Sequence, residues 1–319
     1  MIKFLDIIDF YINAITNLKE QVISLCSPLE EIVIRSAGNS LAYIDNRRDA
    51  KNKYNFDFWR GRYPEELERR LLYSKSNLFP DFLFKVRKIG DSFICGSLLE
   101  LKDSKGGSIA SFNSTIPTKF KNMEEIDVIN GKSLVSRIAS LIDGVLPMGE
   151  YYTFDRYCFY LVRTHRCTKK AKLSIVDGSF FETIPKESLL YNLFLQVIRN
   201  HIAKRHLEIP EKTLEDINAL LKNITDQTII AKSRVIEGAS VRPRLRIMAE
   251  VHAEGNPHSS RHYPQVQEGT FNLILQKTQE VDEVEAYILE KVPEVKRFTI
   301  CHKRNGPHVV FSFTSHFSV

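Results

Sequence analysis

The chain has little that could close a fold covalently. Its five cysteines, Cys26, Cys95, Cys158, Cys167 and Cys301, are scattered, odd in number and without a CxxC pair or zinc-knuckle spacing, which excludes a disulfide framework and predicts reduced thiols. Long apolar runs are missing too. The opening "MIKFLDIIDFYINAITNL" is broken by Asp6 and Asp9, it falls short of the roughly 18 uncharged residues of a membrane span, and no charged segment with a cleavage site accompanies it. These absences predict a cytoplasmic protein with no membrane partner. Internal repeats and low-complexity linkers are also lacking, so no boundary is marked by composition alone. Nor does charge of one sign dominate: 45 Lys and Arg against 39 Asp and Glu give +6, which permits a polyanionic partner without requiring one.

What is present is enough apolar residue, 43% of 319, for a large core. Phe4, Ile7, Ile8, Tyr11, Ile12 and Ile15 recur at the helical period, and "SPLEEIVIRSAGNSLAYI" has Ser-Pro-x-Glu start chemistry, so the first 45 residues predict helices. Their apolar stripe could cover a sheet or join two copies of the chain. "YPEELERRLLYSKS", with Pro64 in a first turn and Leu67, Leu71 and Leu72 on one side, predicts a short amphipathic helix. "PDFLFKVRKI" and "DSFICGSLLELKD" predict a hairpin turning at Gly90-Asp91. A helix over "GKSLVSRIASLIDGVL" follows, then strands over "RYCFYLVRTH" and "AKLSIVDGSFF", and a helix over "KESLLYNLFLQVIRNHIAKRH". From about residue 207 the chain turns polar, with strand-like "TFNLILQ" and two strands about Asn305-Gly306 in "KRFTICHKRNGPHVVFSF". The order predicts an α/β (α+β) fold with a mixed central β-sheet flanked by helices and a β-rich C-terminal part. It suggests a core over residues 1–206 and a C-terminal subdomain over 207–319.

Chemistry concentrates at the end of one strand. Side chains two apart share a strand face, so Glu100 and Lys102 project together while Leu99 and Leu101 project the other way. Asp81, following Pro80 at the start of the neighbouring strand, can stand next to Glu100 across the hairpin. Two carboxylates are what a hard cation such as Mg²⁺ accepts from protein, its other positions being left to water and phosphate oxygens. A lysine beside them can orient or deprotonate a water and offset charge on a phosphate, which suits phosphodiester hydrolysis. The plainer alternative is an exposed ion pair with Asp81 in turn chemistry.

Pro80-Asp81 followed by Glu100-Leu101-Lys102 resembles the PD-(D/E)xK nucleases in order and spacing. The resemblance implies a restriction-endonuclease-like core in which Asp81 and Glu100 hold Mg²⁺ and Lys102 is the catalytic lysine. It also implies an accessory acid on the preceding helix, for which Glu66 and Glu68 both remain open. The stretch "LELKDSKGGSIASFNSTIP" with the later "YLVRTHRCTKKAKLSIVDG" is similar to the NgoPII-like group of type II restriction endonucleases. The implied function is Mg²⁺-dependent, sequence-specific cleavage of double-stranded DNA by a homodimer, as two-fold symmetry of protein and site would require. Two other readings stay open: a repair or structure-specific nuclease, and a non-catalytic DNA-binding protein in which Glu100 and Lys102 are a structural pair.

Three stretches could meet DNA, which needs donors and acceptors at base edges and positive charge along phosphates. Ser111, Asn113 and Ser114 follow the acid-lysine strand. Arg242, Arg244 and Arg246 form the densest basic run. Lys303 and Arg304 flank the Asn305-Gly306 turn. Each could equally be turn chemistry or solvated charge. His252, His258 and His262, with Cys301-His302 downstream, match no tight zinc pattern, and His165 and Cys167 lack a placed partner for nucleophilic catalysis.

Overall fold

Period-2 apolar runs punctuated by turn residues build a large sheet, and period-3.6 runs supply the helices packed on it. The computed structural model describes residues 2–19, 21–25, 29, 71–73, 82–89, 92–104, 109, 155–165, 171–181, 186–224, 235–236, 239–240 and 253–318. The chain forms two compact units, Met1–Glu182 with Met248–Val319, and Thr183–Ile247.

The first unit contains α1 (Ile2–Lys19), β1 (Val22–Ser24), β2 (Leu71–Tyr73), β3 (Phe82–Ile89), β4 (Ser92–Ser104), β5 (Asp155–His165) and β6 (Ala171–Asp177). A 3-10 turn, Gly178–Phe181, follows β6. The second unit holds α2 (Lys186–Arg205), α3 (Glu211–Ile224) and a small hairpin of β7 (Val235–Ile236) and β8 (Ala239–Ser240). The chain then re-enters the first unit with β9 (Thr270–Gln276), α4 (Gln279–Lys291), β10 (Lys296–His302), β11 (Gly306–Thr314) and β12 (His316–Ser318). Eight strands form one sheet in the order β10-β11-β9-β6-β5-β4-β3-β2. It is mixed, as expected: β4 runs parallel to β5 and β6 to β9, the other pairs being antiparallel. β12 pairs in parallel with β1 beside it.

Registered partners share a face, which sorts the side chains. Leu99, Phe159, Leu161, Leu173, Ile175, Phe271, Leu273, Val309 and Phe311 point to the first face, where α1 and α4 cover them. Phe4, Ile7, Ile8, Tyr11, Ile12, Ile15 and Leu18 are all buried there, so the α1 stripe covers the sheet of its own chain. α4 adds Val281, Val284 and Ile288, with the Thr278 hydroxyl accepting the Val281 amide at its N-cap. Fully burying each such side chain contributes about 1.5–3 kcal/mol. The second face is different: Glu100, Lys172, Ser174, Asn272, His308 and Ser312 are buried among Leu98, Tyr160, Val162 and Ile274.

The helix expected over "YPEELERRLLYSKS" is corrected at its end, because Leu71–Tyr73 is β2, paired antiparallel with Phe82–Phe84. An open sheet edge offers a Leu-Leu-Tyr segment backbone partners that outweigh its local helical pattern. The helices expected over 31–45 and over "GKSLVSRIASLIDGVL" lie outside the described residues. No helix among the described residues is long and apolar enough to cross a membrane.

Candidate active site

β4 is a two-sided strand in the middle of the sheet, and its alternation places the acid and the lysine. Leu99 and Leu101 turn to the apolar first face, which sends Glu100 and Lys102 to the second. Parallel pairing sets Glu100 opposite Tyr160 and Lys102 opposite Val162 of β5. Both charged side chains are nearly enclosed, 9% and 12% exposed, and Lys102 Nζ donates to Glu100 Oε1 at 2.9 Å. Glu100 Oε2 is buried and has no hydrogen-bond partner. A buried polar atom left unpaired costs about 1–3 kcal/mol, more when charged, so this oxygen is the feature of the site most in need of a ligand.

Asp81, Glu66 and Glu68 lie outside the described residues, as do Ser111, Asn113, Ser114, Arg242, Arg244 and Arg246. Of the expected site residues the structure therefore brings together Glu100 and Lys102. Among the described residues no three potential metal-ligating side chains gather at one point. Lys303 and Arg304 are exposed within the turn between β10 and β11, where His302 pairs with Gly306. Gly306 takes φ +78° there, the left-handed residue that closes a three-residue hairpin loop.

Two clusters around the pair carry no signal in local sequence pattern. On the first face Asp103 receives a fork from Arg163, Nε to Oδ1 at 2.9 Å and Nη2 to Oδ2 at 2.6 Å, with His165 Nε2 3.8 Å from Oδ1. Asp103 and Arg163 are direct partners in the β4/β5 register, which only knowledge of that parallel pairing could reveal. On the second face His258 is buried between two hydroxyls, Thr164 Oγ1 at 2.8 Å from Nδ1 and Ser174 Oγ at 2.7 Å from Nε2. Burial, with the Lys172 ammonium nearby, pushes its pKa down to about 3, so the imidazole is neutral. Asn272 Nδ2 donates to Ser174 Oγ at 3.2 Å. Lys172 Nζ donates to the His258 carbonyl at 3.1 Å and to Ser260 Oγ at 3.0 Å, anchoring the same segment.

His258 thus uses both ring nitrogens within the fold, and His302 Nδ1 accepts the Arg304 and Asn305 amides at 3.2 and 2.9 Å. Burial holds His302 below the usual imidazole range, consistent with a ring that must stay an acceptor. Comparison of the chain with models of protein families, with curated proteins and with solved structures returns no match, so the chemistry of this site rests on its own residues.

Proposed function

We propose that the protein is a metal-dependent nuclease of the type II restriction class, acting as a homodimer on double-stranded DNA with Glu100 and Lys102 at its reacting centre. The observation that carries this reading is the buried Glu100–Lys102 pair with Oε2 unbonded. An enclosed carboxylate oxygen without a hydrogen-bond donor fits a hard divalent cation. Glu100 would hold Mg²⁺ together with Asp81, and the register that sets Phe82 opposite Leu99 is the one under which residues 81 and 100 would be partners. The cation would supply charge neutralisation at the phosphate oxygens. Lys102, by donating to Oε1, fixes the carboxylate and keeps Oε2 for the ligand. The same ammonium would orient an attacking water and stabilise charge on the phosphate in the transition state.

A second reading has one observation in its favour, the direct Nζ–Oε1 contact, which a purely structural ion pair would also make. The two separate in one experiment. Wild type, Lys102→Ala and Glu100→Gln are incubated with unmethylated plasmid and phage DNA, with Mg²⁺ or with chelator. Discrete Mg²⁺-dependent fragments from wild type alone are expected, together with a Mg²⁺-induced rise in melting temperature that Glu100→Gln abolishes. A smear from wild type would favour a repair nuclease. Uncut DNA and a Mg²⁺-independent melt would leave the pair structural.

A further inference from the structure

The second face of the sheet carries a segment that the sequence motifs do not single out. Residues 256–267, "NPHSSRHYPQVQ", contain no acid. The segment is fastened to the sheet from below, His258 by Thr164 and Ser174 and its carbonyl by Lys172, and it is braced internally by the His258 amide donating to Asn256 Oδ1 at 2.9 Å. Gly269 N closes the far end on the Ala171 carbonyl at 2.8 Å. Asn256, His258, Tyr263 and Val266 face inward, whereas Ser260, Arg261, His262, Gln265 and Gln267 are exposed. A loop so tied presents its outer side chains without the ordering cost that a mobile loop incurs on binding.

One ring joins this segment to the basic hairpin tip. Phe180 stacks edge-on against Tyr263 at 5.7 Å and against His302 at 5.1 Å between centroids. Asn305 Nδ2 donates to the Phe180 carbonyl at 2.9 Å. Arg261 and His262 therefore share a support with Lys303 and Arg304. None of the three permanent cations forms an ion pair with a described residue, whereas Arg163, Lys291 and Arg297 each hold an acid. Two acids flank the segment in the chain, Glu254, which acts on His302, and the exposed Glu268.

The placement relative to Lys102 has a usable scale. Ser174, under His258, is two strands from Lys102 in the same row of the second face, about 10 Å at the usual spacing. The row of Lys102 continues through Asn272 and Ser312 to Lys296, so the β10/β11 hairpin tip lies four to five strands across from β4 and at least six residues along β10 from that row, about 30 Å in all. At roughly 3.4 Å of helix axis per phosphate on one strand, those offsets correspond to about three and about nine phosphates.

We propose that Arg261 and His262, together with Lys303 and Arg304, form one preorganised surface that grips the sugar-phosphate backbone of a DNA duplex on the side of the sheet that carries Glu100 and Lys102. The surface is a positioning device: predominantly cationic and mounted on a fastened loop and a hairpin tip, it sets register on the phosphates without reading bases. It deepens the nuclease reading and rests on it for the choice of DNA, but binding tests it without cleavage.

The experiment measures affinity for a labelled mixed-sequence duplex by fluorescence anisotropy, in chelator, across a series of salt concentrations. The proteins are wild type, Arg261→Ala, the triple variant Arg261→Ala/Lys303→Ala/Arg304→Ala, and Lys291→Ala as an exposed control on α4, which covers the first face. Thermal melts verify that each is folded. Each lost phosphate contact is expected to lower the slope of log affinity against log salt by about 0.9, so the triple variant's affinity responds about 40-fold less to a fourfold change in salt. Lys291→Ala should match wild type. If wild type binds and cuts DNA while the triple variant keeps its affinity and slope, the surface is wrong and the nuclease reading stands. If the slopes fall as expected and wild type never cuts, the surface stands and hydrolysis is lost. Wild type that binds no duplex sinks both.

Discussion

Replacing Lys102 by methionine leaves Glu100 with neither carboxylate oxygen bonded, in a position where its side chain is 9% exposed. At a separation of 2.9 Å and an effective dielectric of about 20, the gross attraction in the native pair is roughly 6 kcal/mol. Desolvation takes back several kcal/mol per ion, so the net contribution of the pair to stability is small. Breaking it is another matter: removing one partner of a buried pair costs about 3–5 kcal/mol, and Lys102→Met is expected to lose that much in urea denaturation. The double variant Glu100→Leu/Lys102→Met, which removes both charges, should return to within about 1 kcal/mol of wild type or exceed it. The coupling energy of the cycle should then be at least about 2 kcal/mol. A folded, stable and catalytically dead double variant would mean that the pair is retained for its chemistry, because an apolar pair serves the fold as well. If Lys102→Met costs less than about 1 kcal/mol, Glu100 is not a desolvated partner, and the case for Oε2 as a ligand site falls with it.

Two other perturbations separate the faces of the sheet. His258 is held neutral down to about pH 3 when folded and takes a proton near pH 6.5 when unfolded; this depressed base contributes stability that is complete above pH 6.5 and lost as pH falls toward 3. The loss is about 1.4 kcal/mol per pH unit, or roughly 2 kcal/mol at pH 5, and His258→Asn should flatten that part of the profile; equal profiles for the two proteins would refute the assignment. Arg163→Lys cannot reproduce the guanidinium fork on Asp103 and should destabilise by about 1–3 kcal/mol while leaving most cleavage intact, since the fork lies on the face away from Glu100. Loss of cleavage as complete as in Lys102→Ala would contradict that separation.

Several elements are legible in local chemistry alone. The Gly90-Asp91 and Asn305-Gly306 turns, flanked by alternating or continuous apolar runs, correspond to the hairpins β3/β4 and β10/β11, and "KESLLYNLFLQVIRNHIAKRH" to α2. The polar, β-rich character of the C-terminal part masks α3 and α4. For α4 a local signal exists, since Thr278 precedes Val281, Val284 and Ile288 at helical spacing. β2 goes the other way, because its Leu-Leu-Tyr run carries a helical pattern that pairing with Phe82–Phe84 on β3 overrides.

The site divides along the same line. That Glu100 and Lys102 share a face follows from strand parity and needs no partner strand. What lies beside them depends on which strands adjoin, and in which direction. Parallel pairing of β4 with β5, followed by an antiparallel step to β6, puts Ser174 and His258 on the face of Lys102. The same pairing sets Asp103 against Arg163 on the other. Each of these partners is separated from β4 by many residues and reaches it only through the finished register. "YLVRTH" and "AKLSIV" read locally as core strands with incidental polar residues. Once in register, Thr164, Lys172 and Ser174 become the mount for an acid-free loop, and the polar second face stops being an anomaly of the core. The acid-lysine pair is therefore within reach of sequence spacing, whereas the surface proposed to orient a duplex against it is a property of the sheet.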